Sequence, residues 1–177
     1  MIKIEKISKS FTKDIKTLNS ISFAVNKGDI LAIIGQSGVG KSVLLKHVNG
    51  LLLPDEGSIY VDDCCINKSS FPELQNIRKK MSMVFQFGAL FDSLNIYENI
   101  KIALDNATSI KEKDKNSIIK NSLDAVGLNE IEHMYPSDLS GGMKKRVGIA
   151  RAISIKPKYI LYDEPTTGLD PINTDKM

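Results

Sequence analysis

The amino-terminal region carries two short stretches in which apolar and polar residues alternate, which is the pattern of half-buried strands. Their apolar positions are Ile2, Ile4 and Ile7, followed by Leu18, Ile21, Phe23 and Val25. Turn-forming residues 26–29 separate these stretches from residues 30–34, a continuous apolar run. A continuous run rich in branched side chains predicts a strand buried on both faces.

After residue 40, apolar side chains recur every three or four positions, as in amphipathic helices. Residues 41–51 and 112–126 both show this spacing. The other predicted elements are helices at 72–78 and 140–153 and strands at 58–61, 81–85 and 159–162. Strands separated by helices indicate an α/β fold. The helical stretch that begins near residue 88 lies between strands and therefore indicates an inserted subdomain.

Composition narrows the class of protein. The 177 residues are 42% hydrophobic and 25% charged, as in soluble globular domains. The longest apolar runs fall short of the ~20 residues of a membrane-spanning helix, and the first ten residues lack the apolar region of a secretory signal. A net charge of +3 is too small to argue for nucleic acid. The adjacent Cys64 and Cys65 are expected to be reduced thiols in a cytoplasmic protein.

The strongest motif lies between the predicted strand at 30–34 and the helix that follows. It fits the pattern G-x-x-x-x-G-K-[ST], in which glycines let backbone N–H groups turn toward phosphate oxygens. The lysine suits the outer phosphates, and the serine hydroxyl can bind Mg²⁺ that bridges two phosphates. The candidate phosphate-binding residues are Gly35, Gln36, Ser37, Gly38, Val39, Gly40, Lys41 and Ser42.

Two carboxylates follow the predicted strand at 159–162. A phosphate-loop protein needs one acidic group near Mg²⁺ and another that orients or deprotonates the attacking water. Asp163 is the candidate for the metal and Glu164 the candidate general base. On its own, such a pair is usually only a solvated strand end.

A second candidate anion site stands at the start of the predicted helix at 140–153. Ser140 is a potential N-cap, and Gly141 and Gly142 expose backbone donors. One chain needs a single phosphate site for its own nucleotide. The second site therefore suggests that it binds the phosphates of a nucleotide held by another subunit.

With these motifs in this order, the sequence resembles the ATP-binding subunits of ABC transporters over essentially the whole chain. The resemblance implies that residues 35–42 are Walker A, that residues 139–143 are the LSGGQ signature with Met143 in place of glutamine, and that residues 159–164 are Walker B. It further implies that Phe11 stacks on adenine, that Gln86 contacts Mg²⁺ and the attacking water, and that Asp170 belongs to the D-loop. Alternatively, Phe11 is a core aromatic and Gln86 a surface polar residue.

The resemblance also implies the architecture: a RecA-like P-loop core, an N-terminal antiparallel β subdomain and an inserted α-helical signature subdomain. The core with its β subdomain would comprise residues 1–87 and 155–177, and the signature subdomain residues 88–154, within one incomplete ABC ATPase domain. Two such subunits would form a head-to-tail dimer around ATP and Mg²⁺, bound to membrane permease subunits on the cytoplasmic face of a bacterial inner membrane.

A finer resemblance, to the Mla/Mce-type ATPases that drive phospholipid or other lipid traffic, lies in residues 85–94 and 96–100. Met143 in the signature is common in that group. The resemblance implies a lipid cargo and a lipid-binding substrate protein as a further partner. Alternatively, Phe87, Leu90 and Phe91 only pack the helical lobe. A soluble non-transport ABC ATPase and a non-catalytic fragment are the competing functions.

In the family, a further strand with a switch histidine follows Walker B and lies between the strands at 30–34 and 159–162. His47 and His133, the only histidines, both precede Walker B and cannot match it. Without that strand, we expect residues 30–34 and 159–162 to lose their shared neighbour and to expose apolar faces. We therefore expect residues 1–177 to be a fragment that lacks C-terminal core strands and has little ATPase activity alone.

Overall fold

The computed structural model describes residues 1–12, 15–86 and 88–164 and divides the chain into two compact units, residues 1–78 and 79–177. The first unit combines an antiparallel sheet with two helices, and the second combines three helices with a parallel strand pair. The α/β class with an antiparallel β subdomain is therefore confirmed. The predicted assignment of residues 1–87 and 155–177 to a core and of 88–154 to a signature subdomain stays a prediction.

The first unit is built on a four-stranded antiparallel sheet. Its strands are β1 (Ile2–Ser10), β2 (Lys16–Val25), β3 (Glu56–Val61) and β4 (Cys64–Cys65), in the order β2-β1-β3-β4. The alternation predicted for β1 is confirmed, because Ile2, Ile4 and Ile7 are all buried. Cys64 and Cys65 are both free thiols, and they pair with the end of β3.

Helices α1 (Lys41–Val48) and α2 (Phe71–Arg78) complete the first unit. Arg78 at the end of α2 donates to the carbonyl oxygens of Asn49 and Gly50, at 3.2 and 2.8 Å, just beyond the end of α1. A cation near the last carbonyls of a helix satisfies acceptors that have no intrahelical partner. This contact joins the carboxyl ends of the two helices.

The helices of the second unit are α3 (Ile96–Ala107), α4 (Glu112–Asp124) and α5 (Gly141–Ser154). Their shared core includes the fully buried residues Ile96, Ile100, Leu104, Ile119, Val147 and Ala150. The start of α3 is fixed by a capping box, in which Asn95 and Glu98 exchange side-chain and backbone hydrogen bonds. In the part of the chain that the structure describes, no helix has the length and apolar character needed to cross a bilayer.

Strands β5 (Met81–Val84) and β6 (Tyr159–Tyr162) form the parallel pair of the second unit. Met81 lies opposite Tyr159 and Val84 opposite Tyr162, so the two strands start and end together. The Ser82 hydroxyl donates to the Ala152 carbonyl oxygen at 2.9 Å and ties the pair to α5. Leu161 is buried, whereas Tyr162 is 43% exposed, so β6 is less covered than a strand in the middle of a sheet.

The prediction of a buried strand at residues 30–34 is wrong in this structure. The segment forms no strand, and Ile30 and Ile34 are 98% and 93% exposed. Apolar character favours burial only where another surface covers it, and among the described residues no strand pairs with this segment. The expectation of exposed apolar side chains at 30–34 is the one that the structure confirms.

We predict that the exposed run at 30–34 makes the chain bind hydrophobic dyes and self-associate, because contiguous exposed apolar surface drives association. The double substitution Ile30→Lys and Ile34→Lys should lower the fluorescence of the bound dye and the self-associated fraction seen in sedimentation. The far-ultraviolet circular dichroism spectrum should stay unchanged. Ile15→Lys is the control, since Ile15 is 67% exposed but lies outside the run. An equal effect of both changes would contradict the prediction.

Candidate functional site

The glycine-rich loop before α1 adopts backbone conformations that favour glycine. Gly38 and Gly40 have φ of +82° and +104°, in the left-handed region. A Cβ at Gly38 would meet open space, whereas one at Gly40 would lie 3.0 Å from the Thr17 carbonyl oxygen of β2. Gly40 therefore packs the loop against the sheet, and Gly38 leaves the loop open to a ligand.

The loop folds around the side chain of Lys41. The Lys41 ammonium donates to the carbonyl oxygens of Gly35 and Gln36, both at 2.9 Å. Helix α1 starts at Lys41, and its N-cap, Gly40, has no side chain to cap the first turn. A helix N-terminus that lacks a capping side chain presents N–H donors and a positive dipole end to an anion. The loop thus has the glycine conformations and the uncapped helix start that suit an anion, and its role in binding phosphate stays a prediction.

The parallel pair β5 and β6 places three of the predicted site residues at one edge. Gln86 follows β5 by two positions, and Asp163 and Glu164 follow β6 directly. The Asp163 N–H donates to the Val84 carbonyl oxygen at 2.9 Å, which continues the pairing past the strand ends. Glu164 has φ of +48°, a conformation that residues other than glycine rarely adopt and that often marks functional sites.

The chemistry of these side chains fits a magnesium ion. At the edge of the second unit, the carboxylate of Asp163 and the amide of Gln86 are oxygen donors of the type that Mg²⁺ takes, and the Ser42 hydroxyl of the first unit is of the same type. Among the described residues, no group of three or more His, Cys, Asp or Glu side chains is placed to hold a metal.

The predicted signature residues form the N-terminus of α5. The Ser140 hydroxyl accepts from the Met143 N–H at 3.2 Å and is the N-cap that the sequence predicts. Gly141 is exposed, and a Cβ there would meet no atom within 4 Å. The first turn of this fourteen-residue helix is therefore open to solvent.

Phe11 lies just beyond β1 and is 57% exposed, so the alternative of a core aromatic is wrong. The Lys9 ammonium lies 5.9 Å from the centroid of the Phe11 ring and bonds Asp55 at 2.7 Å. Asp55 also accepts from the Ser10 N–H at 2.8 Å. The hydrogen bond from Lys9, followed by that from Ser10, lowers the pKa of Asp55. These contacts anchor the end of β1 that carries the exposed ring.

The remaining predictions have mixed outcomes. Asp170 of the predicted D-loop and Phe87 lie outside the described residues. His47 is fully buried with Nδ1 at 2.7 Å from the Val43 carbonyl oxygen, which agrees with a structural role.

Sequence patterns did not single out Arg151 and Asn99, whose hydrogen bonds hold the chain beyond Gln86.

The glycine loop at the start of α1 and the carboxylates at the end of β6 define a phosphate-loop protein of the α/β class. The family model described as ABC transporter matches residues 18–167, and the chain belongs to this family.

Curated relatives and solved structures agree with this assignment. The chain is 41% identical over its whole length to the methionine import ATP-binding protein MetN of Carboxydothermus hydrogenoformans. It is 42% identical, over 92% of its length, to the intermembrane phospholipid transport system ATP-binding protein MlaF of Escherichia coli K12. The chain spans about half the length of the curated relatives it matches, 52% of MetN and 61% of MlaF.

A similar solved structure is a dimer of the ATP-binding cassette MJ0796 in a post-hydrolysis state, bound to ADP and Pi. It shares 31% identity and a TM-score of 0.91, covering 99% of this chain and 79% of that one. The likeness confirms the fold of an ABC cassette.

We predict different costs for alanine at the two left-handed glycines of the loop. Gly38→Ala should lower the free energy of unfolding by about 1–2 kcal/mol, the cost of a left-handed residue with a Cβ. Gly40→Ala should cost more, because its Cβ would also press on the Thr17 carbonyl oxygen. Gly141→Ala, in an open helical position, is the control and should not destabilise. Urea denaturation measures all three, and equal costs at Gly38 and Gly40 would contradict the packing argument.

Proposed function

We propose that this chain is the ATP-binding and ATP-hydrolysing part of a bacterial ABC transporter that moves phospholipid or another lipid across the envelope. The observation that carries the proposal is the loop of residues 35–42, which curls around the Lys41 ammonium at the start of α1. ATP supplies the phosphoryl group for hydrolysis, and Mg²⁺ neutralises charge that builds up on its phosphates.

Each residue of the site has a role in this proposal. Lys41 exchanges the carbonyl oxygens of Gly35 and Gln36 for phosphate oxygens, and the N–H groups of the loop and of α1 bind the same phosphates. Ser42, Gln86 and Asp163 provide oxygen ligands for Mg²⁺. Glu164 accepts the proton of the attacking water as general base.

The second phosphate contact comes from another copy of the subunit. Ser140, Gly141 and Gly142 bind the ATP held by the partner, and Asp170 is assigned to the D-loop by the family resemblance. The exposed start of α5 supports this role, because among the described residues no atom lies within 4 Å of a Cβ placed at Gly141. The dimeric MJ0796 cassette bound to ADP and Pi supports the pairing of two copies, which we propose to be head-to-tail.

The cargo is proposed from the stretch at residues 85–100, which resembles the lipid-trafficking group. Overall sequence identity does not decide the cargo. The chain is 41% identical to a relative named for methionine import and 42% identical to one named for phospholipid transport. Phe91 in this stretch is 52% exposed and suits contact with an apolar partner segment. The proposed partners are membrane permease subunits on the cytoplasmic face of the inner membrane and a lipid-binding substrate protein.

We predict that Mg·ATP raises the melting temperature of the chain, because a ligand that binds only the folded state stabilises it. When the free ligand concentration is a hundred times the dissociation constant, the free energy of unfolding rises by about 2.7 kcal/mol. Lys41→Ala should abolish the shift. Lys46→Ala, in the last turn of the same helix, should keep it. No shift in the unmodified chain would overturn the proposal.

The hydrolysis step is tested separately by phosphate release. Glu164→Gln keeps the shape of the side chain but removes the base, so it should keep the ATP-dependent melting shift and lose phosphate release. Equal release by the chain and by Glu164→Gln would exclude Glu164 as the base and leave ATP binding standing.

We predict that Phe11→Ala weakens ATP binding by roughly tenfold, since stacking of a base on an aromatic ring contributes about 1–3 kcal/mol. Affinity for tripolyphosphate, which has no base, should not change. Phe71→Ala is the matched control, because Phe71 is 71% exposed on α2 and has no predicted role. Titration of fluorescent ATP with unlabelled competitors measures each affinity, and loss of tripolyphosphate binding in Phe11→Ala would contradict stacking.

A further inference from the structure

The chain just beyond Gln86 lies against the backbone of α5. Gly88 has φ of +77°, and a Cβ there would stand 2.5 Å from the Lys144 carbonyl oxygen. A Cβ added to Gly148 would in turn stand 2.9 Å from Gly88 Cα. Both residues are buried. The two backbones therefore touch at a distance that only glycine allows on either side.

Arg151 adds a polar contact one turn further along α5. Its guanidinium donates to the Gly88 carbonyl oxygen at 2.7 Å and to the Ala89 carbonyl oxygen at 2.8 Å. Lys144, Gly148 and Arg151 are spaced by four and three residues and so share one face of the helix. Gly88 and Ala89 therefore meet α5 on a single face.

The contact of Arg151 is unusual for a cation. The side chain is half-buried, and burial lowers its pKa. Within residues 1–12, 15–86 and 88–164, no carboxylate pairs with it. Desolvating a charge is costly unless hydrogen bonds compensate it, and here two neighbouring backbone carbonyls do so. Arg151 reaches the two carbonyls with two separate nitrogens of one planar group, a geometry that the single nitrogen of a lysine does not reproduce.

The other end of the same loop is held by α3. Asn99 is fully buried, and its Oδ1 accepts from the Phe91 N–H at 2.8 Å. Its amide nitrogen donates to the carbonyl oxygens of Phe91 at 3.1 Å and Leu94 at 2.9 Å. Because α3 and α5 share one apolar core, residues 88–94 are fastened at both ends to the same helical body.

We propose that Arg151 is a positioning residue, which fastens residues 88–94 to the signature helix so that Gln86 moves together with Ser140, Gly141 and Gly142. The inference rests on the proposed function, since it concerns the roles given there to Gln86 and the signature residues. Gln86 is joined to Gly88 through a single residue, so a fixed Gly88 limits where the Gln86 side chain can go. A shift of α5, the helix that starts at the signature residues, then moves Gln86. The proposed Mg²⁺ ligand at the nucleotide bound by the same chain therefore changes its position.

The first test is amide hydrogen exchange on the full chain. Arg151→Lys should speed exchange in residues 88–94 by at least about tenfold, because a local clamp opens without global unfolding. Exchange in α3, α4 and α5 should stay the same. Unchanged exchange in 88–94, or an equal rise throughout residues 79–164, would overturn the proposal.

A matched control lies on the same helix. Arg146 also donates to two backbone carbonyls, those of Val126 and Gly127 at 3.4 and 3.3 Å, but these follow α4. Arg146→Lys should speed exchange near residues 126–128 and leave 88–94 unchanged. If Arg151→Lys does not fold, the unmodified chain decides: the Phe91 and Leu94 amides must exchange as slowly as those of α5, and rapid exchange overturns the clamp.

The second test asks whether Arg151 acts through Gln86. Gln86→Ala and Arg151→Lys should each lower the affinity for Mg·ATP relative to ADP by about fivefold, the effect of one ordinary hydrogen bond. The double variant should lose no more than either single one. Additive losses would overturn action through Gln86. An effect of Arg151→Lys on exchange, with none of Gln86→Ala on affinity, would instead overturn the proposed role of Gln86 and keep the clamp.

Discussion

The parallel pairing of β5 and β6 is the constraint on which the candidate catalytic edge of the second unit depends. Both strands have four residues and end at the same edge, so Gln86 follows one strand where Asp163 and Glu164 follow the other. A slip of one residue would turn every side chain of β6 to the opposite face. The hydrogen bond from the Asp163 N–H to the Val84 carbonyl oxygen continues this register past the strand ends, and the bond from Ser82 to the Ala152 carbonyl oxygen holds β5 against α5.

The phosphate loop, by contrast, depends on local determinants. Residues 30–34 before it form no strand, yet the loop keeps its glycine conformations and the Lys41 contacts. Gly40 rests on β2, and the Leu44 N–H donates to the Gly40 carbonyl oxygen at 2.9 Å as α1 begins. Anchoring from these two directions explains why the loop geometry does not require the strand that sequence patterns predict.

The same contrast explains how much could be predicted from the sequence. Motifs that work through neighbouring residues were found: the loop at 35–42, the Ser140 cap and the carboxylates after β6. Burial of residues 30–34 was not predictable from their apolar character, because it depends on a covering strand elsewhere in the chain. Arg151 was missed for a related reason. Its acceptors are backbone carbonyls of Gly88 and Ala89, which any residue provides and no sequence pattern marks.

Helix α5 carries three tasks on different parts of its surface, which accounts for its composition. Its first turn has Ser140 and two glycines, its core face has Val147 and Ala150, and a third face meets residues 88–89. On that third face, the contact at Gly148 is backbone against backbone, with no side chain whose rotamer could change and absorb movement. A displacement of the helix must therefore move the loop directly, since packed backbones have few alternative arrangements. The helix that starts at the predicted signature residues and the chain just beyond Gln86 are thus joined by steric contact, to which Arg151 adds two directed hydrogen bonds.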